Sequence, residues 1–98
     1  MIYVVATLIA KPDKHAELIA GAKPCIAATL KEAGCISYDL LHSITEPNTF
    51  TFVERWETRE ALTAHSKAEH LKVWRKISGE CITGRTIEIV HPANVETM

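Results

Sequence analysis

Phe50-Thr51-Phe52-Val53-Glu54-Arg55-Trp56-Glu57 is the stretch on which the fold turns. Strand alternation puts Phe50, Phe52, Glu54 and Trp56 on one face and Thr51, Val53, Arg55 and Glu57 on the other, so the aromatic face is the buried one. Immediately upstream, Thr45-Glu46-Pro47-Asn48-Thr49 has the composition of a turn, and residues 36 to 44 read as a second strand. The two strands and the turn predict an antiparallel hairpin.

Working outward, residues 2 to 10 are rich in β-branched and aromatic types and too short for a stand-alone helix. Both alternating sets, Ile2/Val4/Ala6/Leu8 and Tyr3/Val5/Thr7/Ile9, are largely apolar, which predicts a central strand covered on both faces. Lys11-Pro12-Asp13 has the form of a helix entry. Ala16, Ile19, Ala20, Ala22, Ile26 and Leu30 then recur at helical intervals, predicting a helix to about Ala33 that Gly34 terminates. Pro24 lies inside it and predicts a kink or break near Gly21 to Pro24. Downstream, Thr58 is a good N-cap, and Ala61, Leu62, His65, Leu71, Trp74 and Ile77 mark a helical region ending near Gly79. Polar Ser66 to Glu69 is the point at which it could divide into two pieces. A last strand runs from about Arg85 to His91 and is closed by Pro92.

The resulting order, strand, helix, strand, strand, helix, strand, predicts an α+β ferredoxin-like split β-α-β fold, one antiparallel sheet with its helices on one face. With 98 residues the chain is one domain, residues 1–98. The other sheet face needs a cover, and a second copy of the chain is the simplest one, so a homodimer is expected.

Eleven Lys and Arg against 12 Asp and Glu give a net charge of −1 and no basic excess for phosphate-backbone contacts, so nucleic acid is not an expected partner. No cationic leader precedes the first apolar stretch, which stops at Lys11-Pro12; neither a signal peptide nor a membrane span is expected. Cys25, Cys35 and Cys81 form an odd set without a C-x-x-C pair, which suits reduced thiols and a cytoplasmic location. Nothing near Cys35 lowers its pKa, so a packed thiol is favoured over a nucleophile.

No dinucleotide, P-loop or H-E-x-x-H motif is present, and no cofactor is expected. His65 and His70 are five residues apart, about 140° on a continuous helix, which predicts that they do not share a metal. Glu54, on an aromatic face, needs a partner, for which a backbone amide or Arg85 is the structural candidate. Trp56 with Phe52 and Tyr38 can wall an apolar pocket for an aromatic ring. His65, on an apolar helical stripe, is the candidate general base. His15, His42 and His91 read as solvated.

Gly34-Cys35-Ile36-Ser37-Tyr38, Phe52-Val53-Glu54-Arg55-Trp56-Glu57, Ala61-Leu62-Thr63-Ala64-His65 and Glu69-His70-Leu71 together resemble the motifs of antibiotic biosynthesis monooxygenase (ABM) domain proteins. Within that family the chain is most similar to small quinol monooxygenase-like proteins and to the isomerase that processes phosphorylated autoinducer-2. The resemblance implies a dimeric α+β barrel in which two sheets pack face to face. It also implies oxygenation of a phenol or quinol by O₂ without metal, flavin or haem. Glu54, Trp56, His65 and His70 occupy the matching positions. Ala6 stands where haem-degrading relatives carry asparagine, and His65 where they carry tryptophan, which disfavours haem degradation. Ala33 replaces a proline of the pattern and Leu71 a phenylalanine.

The site expected on these grounds has His65 and Glu54 as catalytic residues, with Glu54 orienting His65 or a water. Trp56, Phe52, Tyr38, His70 and Trp74 would contact a small phenol or quinol. The alternatives are an isomerase or tautomerase of a small carbonyl compound such as phosphorylated autoinducer-2, and a non-catalytic ligand-binding dimer.

Overall fold

The computed structural model describes residues 1–98. Its elements are β1 (Ile2–Ala10), α1 (His15–Thr29), β2 (Cys35–His42), β3 (Thr49–Trp56), α2 (Arg59–Ser66), α3 (Glu69–Cys81) and β4 (Ile82–Val90). The strands form one antiparallel sheet in the order β2-β3-β1-β4, the ferredoxin-like α+β arrangement.

Register assigns every strand residue to a face, because paired residues point the same way. Val4 pairs with Glu54 and Ile89, and Glu54 also with Tyr38; Ala6 pairs with Phe52 and Ile87; Leu8 pairs with Phe50 and Arg85. This face carries the buried even-numbered residues of β1 together with Phe50, Phe52, Glu54 and Trp56. The helices cover it. On the opposite face Tyr3, Val5, Thr7, Thr51 and Val53 are only half-buried. β1 is central, as its composition predicts, but the chain covers only one of its two apolar faces.

α1 is shorter than the periodicity predicts and continuous through Pro24. The carbonyl deprived of its donor belongs to Ala20, which is exposed like Pro24 itself, so water can satisfy it. After Thr29 the backbone tightens into i→i+3 bonds, Lys31 N–H to Ala28 O and Glu32 N–H to Thr29 O at 3.2 and 3.0 Å, and reverses at Gly34 with φ +84°. This tight turn, absent from the predicted long helix, places Glu32.

Thr58 caps α2, its Oγ1 accepting from Ala61 N–H at 3.1 Å. α2 closes with Lys67 N–H to Ala64 O and Ala68 N–H to His65 O, and Ala68 is extended (ψ 145°) before α3 begins. The break at Lys67–Ala68 is the division that polar Ser66 to Glu69 predicts. α3 runs to Cys81, past Gly79, and passes directly into β4, which starts at Ile82 and not at Arg85. No helix is long and apolar enough to cross a membrane.

Candidate active site

Between the helices and the inner sheet face lies a cavity of about 250 Å³. Its apolar wall is built from Phe52, Tyr38, Trp74 and Leu71 over Val4 and Ala6. Tyr38 and Phe52 are tilted neighbours with ring centroids 5.0 Å apart, and Trp74 meets Phe52 edge-on at 5.6 Å. His65 and Glu54 line the same space.

His65 is buried at the C-terminal end of α2, its ring against Trp56 at 4.7 Å and Tyr38 at 5.3 Å. Its Nδ1–H donates to Glu32 Oε2 at 2.7 Å. The same oxygen accepts from His70 Nε2–H at 2.9 Å. A carboxylate can only accept here, so it fixes the tautomer in which His65 Nε2 keeps its lone pair. Nε2 has no hydrogen-bond partner, yet no buried side-chain nitrogen or oxygen is left unsatisfied, so Nε2 is open at the cavity that His65 lines. Burial lowers the His65 pKa below the ordinary histidine value, against the Glu32 hydrogen bond and charge, which raise it; His70 and Arg75 lower it further. The ring is a neutral base at neutral pH.

Glu54 is buried, and its Oε1 accepts from Trp56 Nε1–H at 3.0 Å. Burial pushes its carboxyl up to about 7, the indole N–H working in the opposite direction and the charge of Glu32 adding to the rise. The cavity thus holds a carboxyl pushed up to about 7 and an imidazole held below its ordinary value, perturbations of a kind concentrated at functional sites. Burial, reinforced by the charge of Glu54, pushes the Tyr38 phenol strongly up, so it stays protonated.

Several expectations about individual residues change. The partner of Glu54 is the indole of Trp56, neither a backbone amide nor Arg85, which pairs with Leu8 on the same sheet face and makes no bond to Glu54. The carboxylate that orients His65 is Glu32, not Glu54. Trp56 is fully buried behind His65 and outside the cavity lining, so it supports the imidazole and is no wall for a ring; Phe52, Tyr38 and Trp74 form that wall. His70 also lies outside the lining. The predicted separation of His65 from His70 fails because the helix breaks between them: both rings converge on Glu32, with centroids 6.1 Å apart. The donor atoms of Glu32, His65 and His70 lie within 4.8 Å of one another, a set of ligand types that can hold a divalent cation. His15 and His42 are engaged with Asn48 Oδ1 and the Pro47 carbonyl, and His42 stacks on Phe50 at 4.0 Å.

Glu32 carries no sequence signal of its own. It falls where the predicted helix would have continued, off the apolar stripe, and only the 33-residue loop closure to His65 gives it a role. Arg59, Arg75 and Arg85 line the cavity as well, a cluster drawn from three elements.

The model of the family described as antibiotic biosynthesis monooxygenase matches residues 1–77. The Bacillus subtilis protein YcnE, whose name assigns it provisionally to the monooxygenases, is 31% identical over 72 residues, 74% of this chain and 76% of its own length. The solved structure of Rv0793 from Mycobacterium tuberculosis superposes with a TM-score of 0.90 at 29% identity, covering 98% of both chains. The Synechocystis protein sll1783 is 42% identical over 64 residues, 65% of this chain; the chain spans less than half of that relative's length, 44%. The match to the family model covers most of the chain and reaches from β1 into α3, so the protein belongs to the antibiotic biosynthesis monooxygenase family.

Proposed function

We propose that the protein is a monooxygenase that uses no metal or organic cofactor and acts on a phenol or quinol held in the cavity. The observation that carries this reading is the Glu32–His65 pair, which leaves His65 Nε2 free as a base beside an aromatic-walled cavity. In the reaction, His65 Nε2 takes the substrate hydroxyl proton. The resulting phenolate passes one electron to O₂, and the aryloxyl radical and superoxide combine to a peroxide at a ring carbon. That carbon loses its hydrogen as a proton while the O–O bond breaks. One oxygen atom stays on the ring as a quinone carbonyl and the other leaves as water, so one phenol and one O₂ give one quinone and one water.

Glu54, with its carboxyl near neutrality, is the second group able to carry a proton in the cavity, while Phe52, Tyr38 and Trp74 hold the ring. The working unit is a homodimer formed through the half-buried outer sheet face. An oxygen electrode with a panel of naphthols and quinols tests the reading. Oxygen consumption matched mole for mole by quinone formation is expected, and ligand binding without oxygen uptake would overturn it.

A further inference from the structure

The arginines of the cavity are not explained by a neutral phenol. Arg59 begins α2, Arg75 follows Trp74 on α3, and Arg85 extends from β4 on the helix-covered face, opposite Leu8. All three line the cavity, and all three are exposed, which puts their guanidinium ends at its mouth. None of them makes an ion pair, in a chain with 12 acidic residues available. Arg59 Nη1 donates to Thr63 Oγ1 at 2.6 Å and Arg75 Nη1 to the Ser66 carbonyl at 3.2 Å, while Arg85 has no side-chain hydrogen bond. These bonds fix two of the groups without neutralising them. The only carboxyl in the lining is Glu54, buried and paired with Trp56.

A second, open depression adjoins the first and shares Arg75 and Arg85 with it; its remaining lining is Gly79, Ile82, Thr83 and Gly84. Gly79 leaves open space on this side, with nothing within 4 Å of where a side chain would begin. An apolar, aromatic-walled chamber therefore opens onto a cationic rim. Guanidinium groups without ion-pair partners on the lining of one cavity match a carboxylate or phosphoryl group, which they bind in a planar fork.

We propose that the site selects an anionic aromatic, with the hydroxylated ring against Phe52, Tyr38 and Trp74 and a carboxylate or phosphoryl group at the mouth between Arg75 and Arg85, Arg59 adding the third positive charge. This assignment rests on the reading of the cavity as the substrate site, and it concerns recognition alone.

Isothermal titration calorimetry with 1-hydroxy-2-naphthoate, 1-naphthyl phosphate and 1-naphthol tests it without turnover. Both anions, or one of them, should bind at least about tenfold more tightly than 1-naphthol at low salt, the scale of one charge-assisted hydrogen-bond pair. The tighter anion identifies the group. The advantage should shrink as salt is raised and disappear in the Arg75→Gln, Arg85→Gln double variant, with the affinity for 1-naphthol kept within about twofold. Arg85→Gln alone, at an exposed position without side-chain bonds, should remove part of it. Equal affinity for all three probes, no binding by any, or an anion preference that survives in the double variant would overturn the proposal. Anion selectivity without oxygen uptake would overturn the oxygenase reading and leave this one standing; oxygen uptake with indifference to charge would do the reverse.

Discussion

Glu32 Oε2 receives two imidazole N–H groups, and this single atom ties His65 of α2 and His70 of α3 to the turn after α1. His65→Ala should lower turnover by about 10²-fold or more while the fold persists, the scale of a lost general base. Glu32→Gln should cost about 10- to 100-fold. Because Glu32 raises the His65 pKa, its removal should also move the acidic limb of the pH–rate profile to lower pH, a shift that a merely structural role would not produce. Glu54 makes a separate prediction about stability. Its folded pKa of about 7 lies above the ordinary glutamate value of 4.5, so its contribution is fully present below 4.5 and is lost as pH rises through 7. Glu54→Gln keeps an acceptor for the Trp56 indole and cannot ionise. Relative to wild type it should gain on the order of 3 kcal/mol between pH 4.5 and 8 in urea titrations. His65 has the opposite sign: its lowered pKa gives stability that is present above the unfolded histidine value and falls away below it. A Glu54→Gln profile parallel to wild type would place the carboxyl in water.

At the scale of elements, the site depends on two interruptions. The turn after α1 is held by Gly34, whose φ of +84° suits glycine and whose position leaves no room for a side chain: a Cβ there would come within 2.6 Å of Ala61 Cβ. Gly34 O also accepts from Glu57 N–H at 2.8 Å, tying the turn to the end of β3. Gly34→Ala should therefore destabilise the fold by about 1–3 kcal/mol, from left-handed strain and the clash with α2. It should cost activity beyond the loss of folded protein, because the turn carries Glu32. Thr58→Ala, which removes only the cap of α2, should cost about 1 kcal/mol and leave the turnover of folded protein near wild type. Chemical denaturation beside specific activity separates the two outcomes. The second interruption, at Lys67–Ala68, redirects α3 so that His70 joins Glu32.

For the whole molecule, the thickness is that of one sheet and one helix layer: the shortest extent is 18 Å. The outer sheet face, with Tyr3, Val5 and Val53 half-buried and Ile9 and Leu41 exposed, has no helix over it. Apolar area of that kind is what a homodimer would cover, so light scattering should give twice the 10.9 kDa of one chain at micromolar concentration. Concentration-independent unfolding of a stable monomer would remove the dimer from the account. The oxygenase reading also has a bulk test. Oxygen uptake should survive dialysis against a chelator; loss of uptake restored by one divalent cation would instead make Glu32, His65 and His70 metal ligands.

The strands were legible because their period of two is local. The alternation in 50–57 and the apolar 2–10 run assign faces without knowledge of what covers them. Phe52 on the buried face and the buried carboxylate followed from the same alternation, which also offered Trp56 as a wall that it does not form, and the cap of α2 and the possible break after it followed from local polarity. Three things were not legible in this way. The end of α1 depended on backbone bonds that tighten after Thr29, against a periodicity that continues to Leu30. The pairing of Glu54 with Trp56 required knowing which neighbour on the same face was within 3.0 Å. The Glu32–His65–His70 cluster and the three-arginine mouth join residues from separate turns, helices and strands. By itself the sequence determined which residues share a strand face, because side-chain direction is set by backbone geometry one residue at a time. Only the tertiary structure decided which carboxylate holds His65 and where the positive charge collects, because those contacts arise when chain closure brings distant segments within hydrogen-bond range, and no local periodicity encodes that distance.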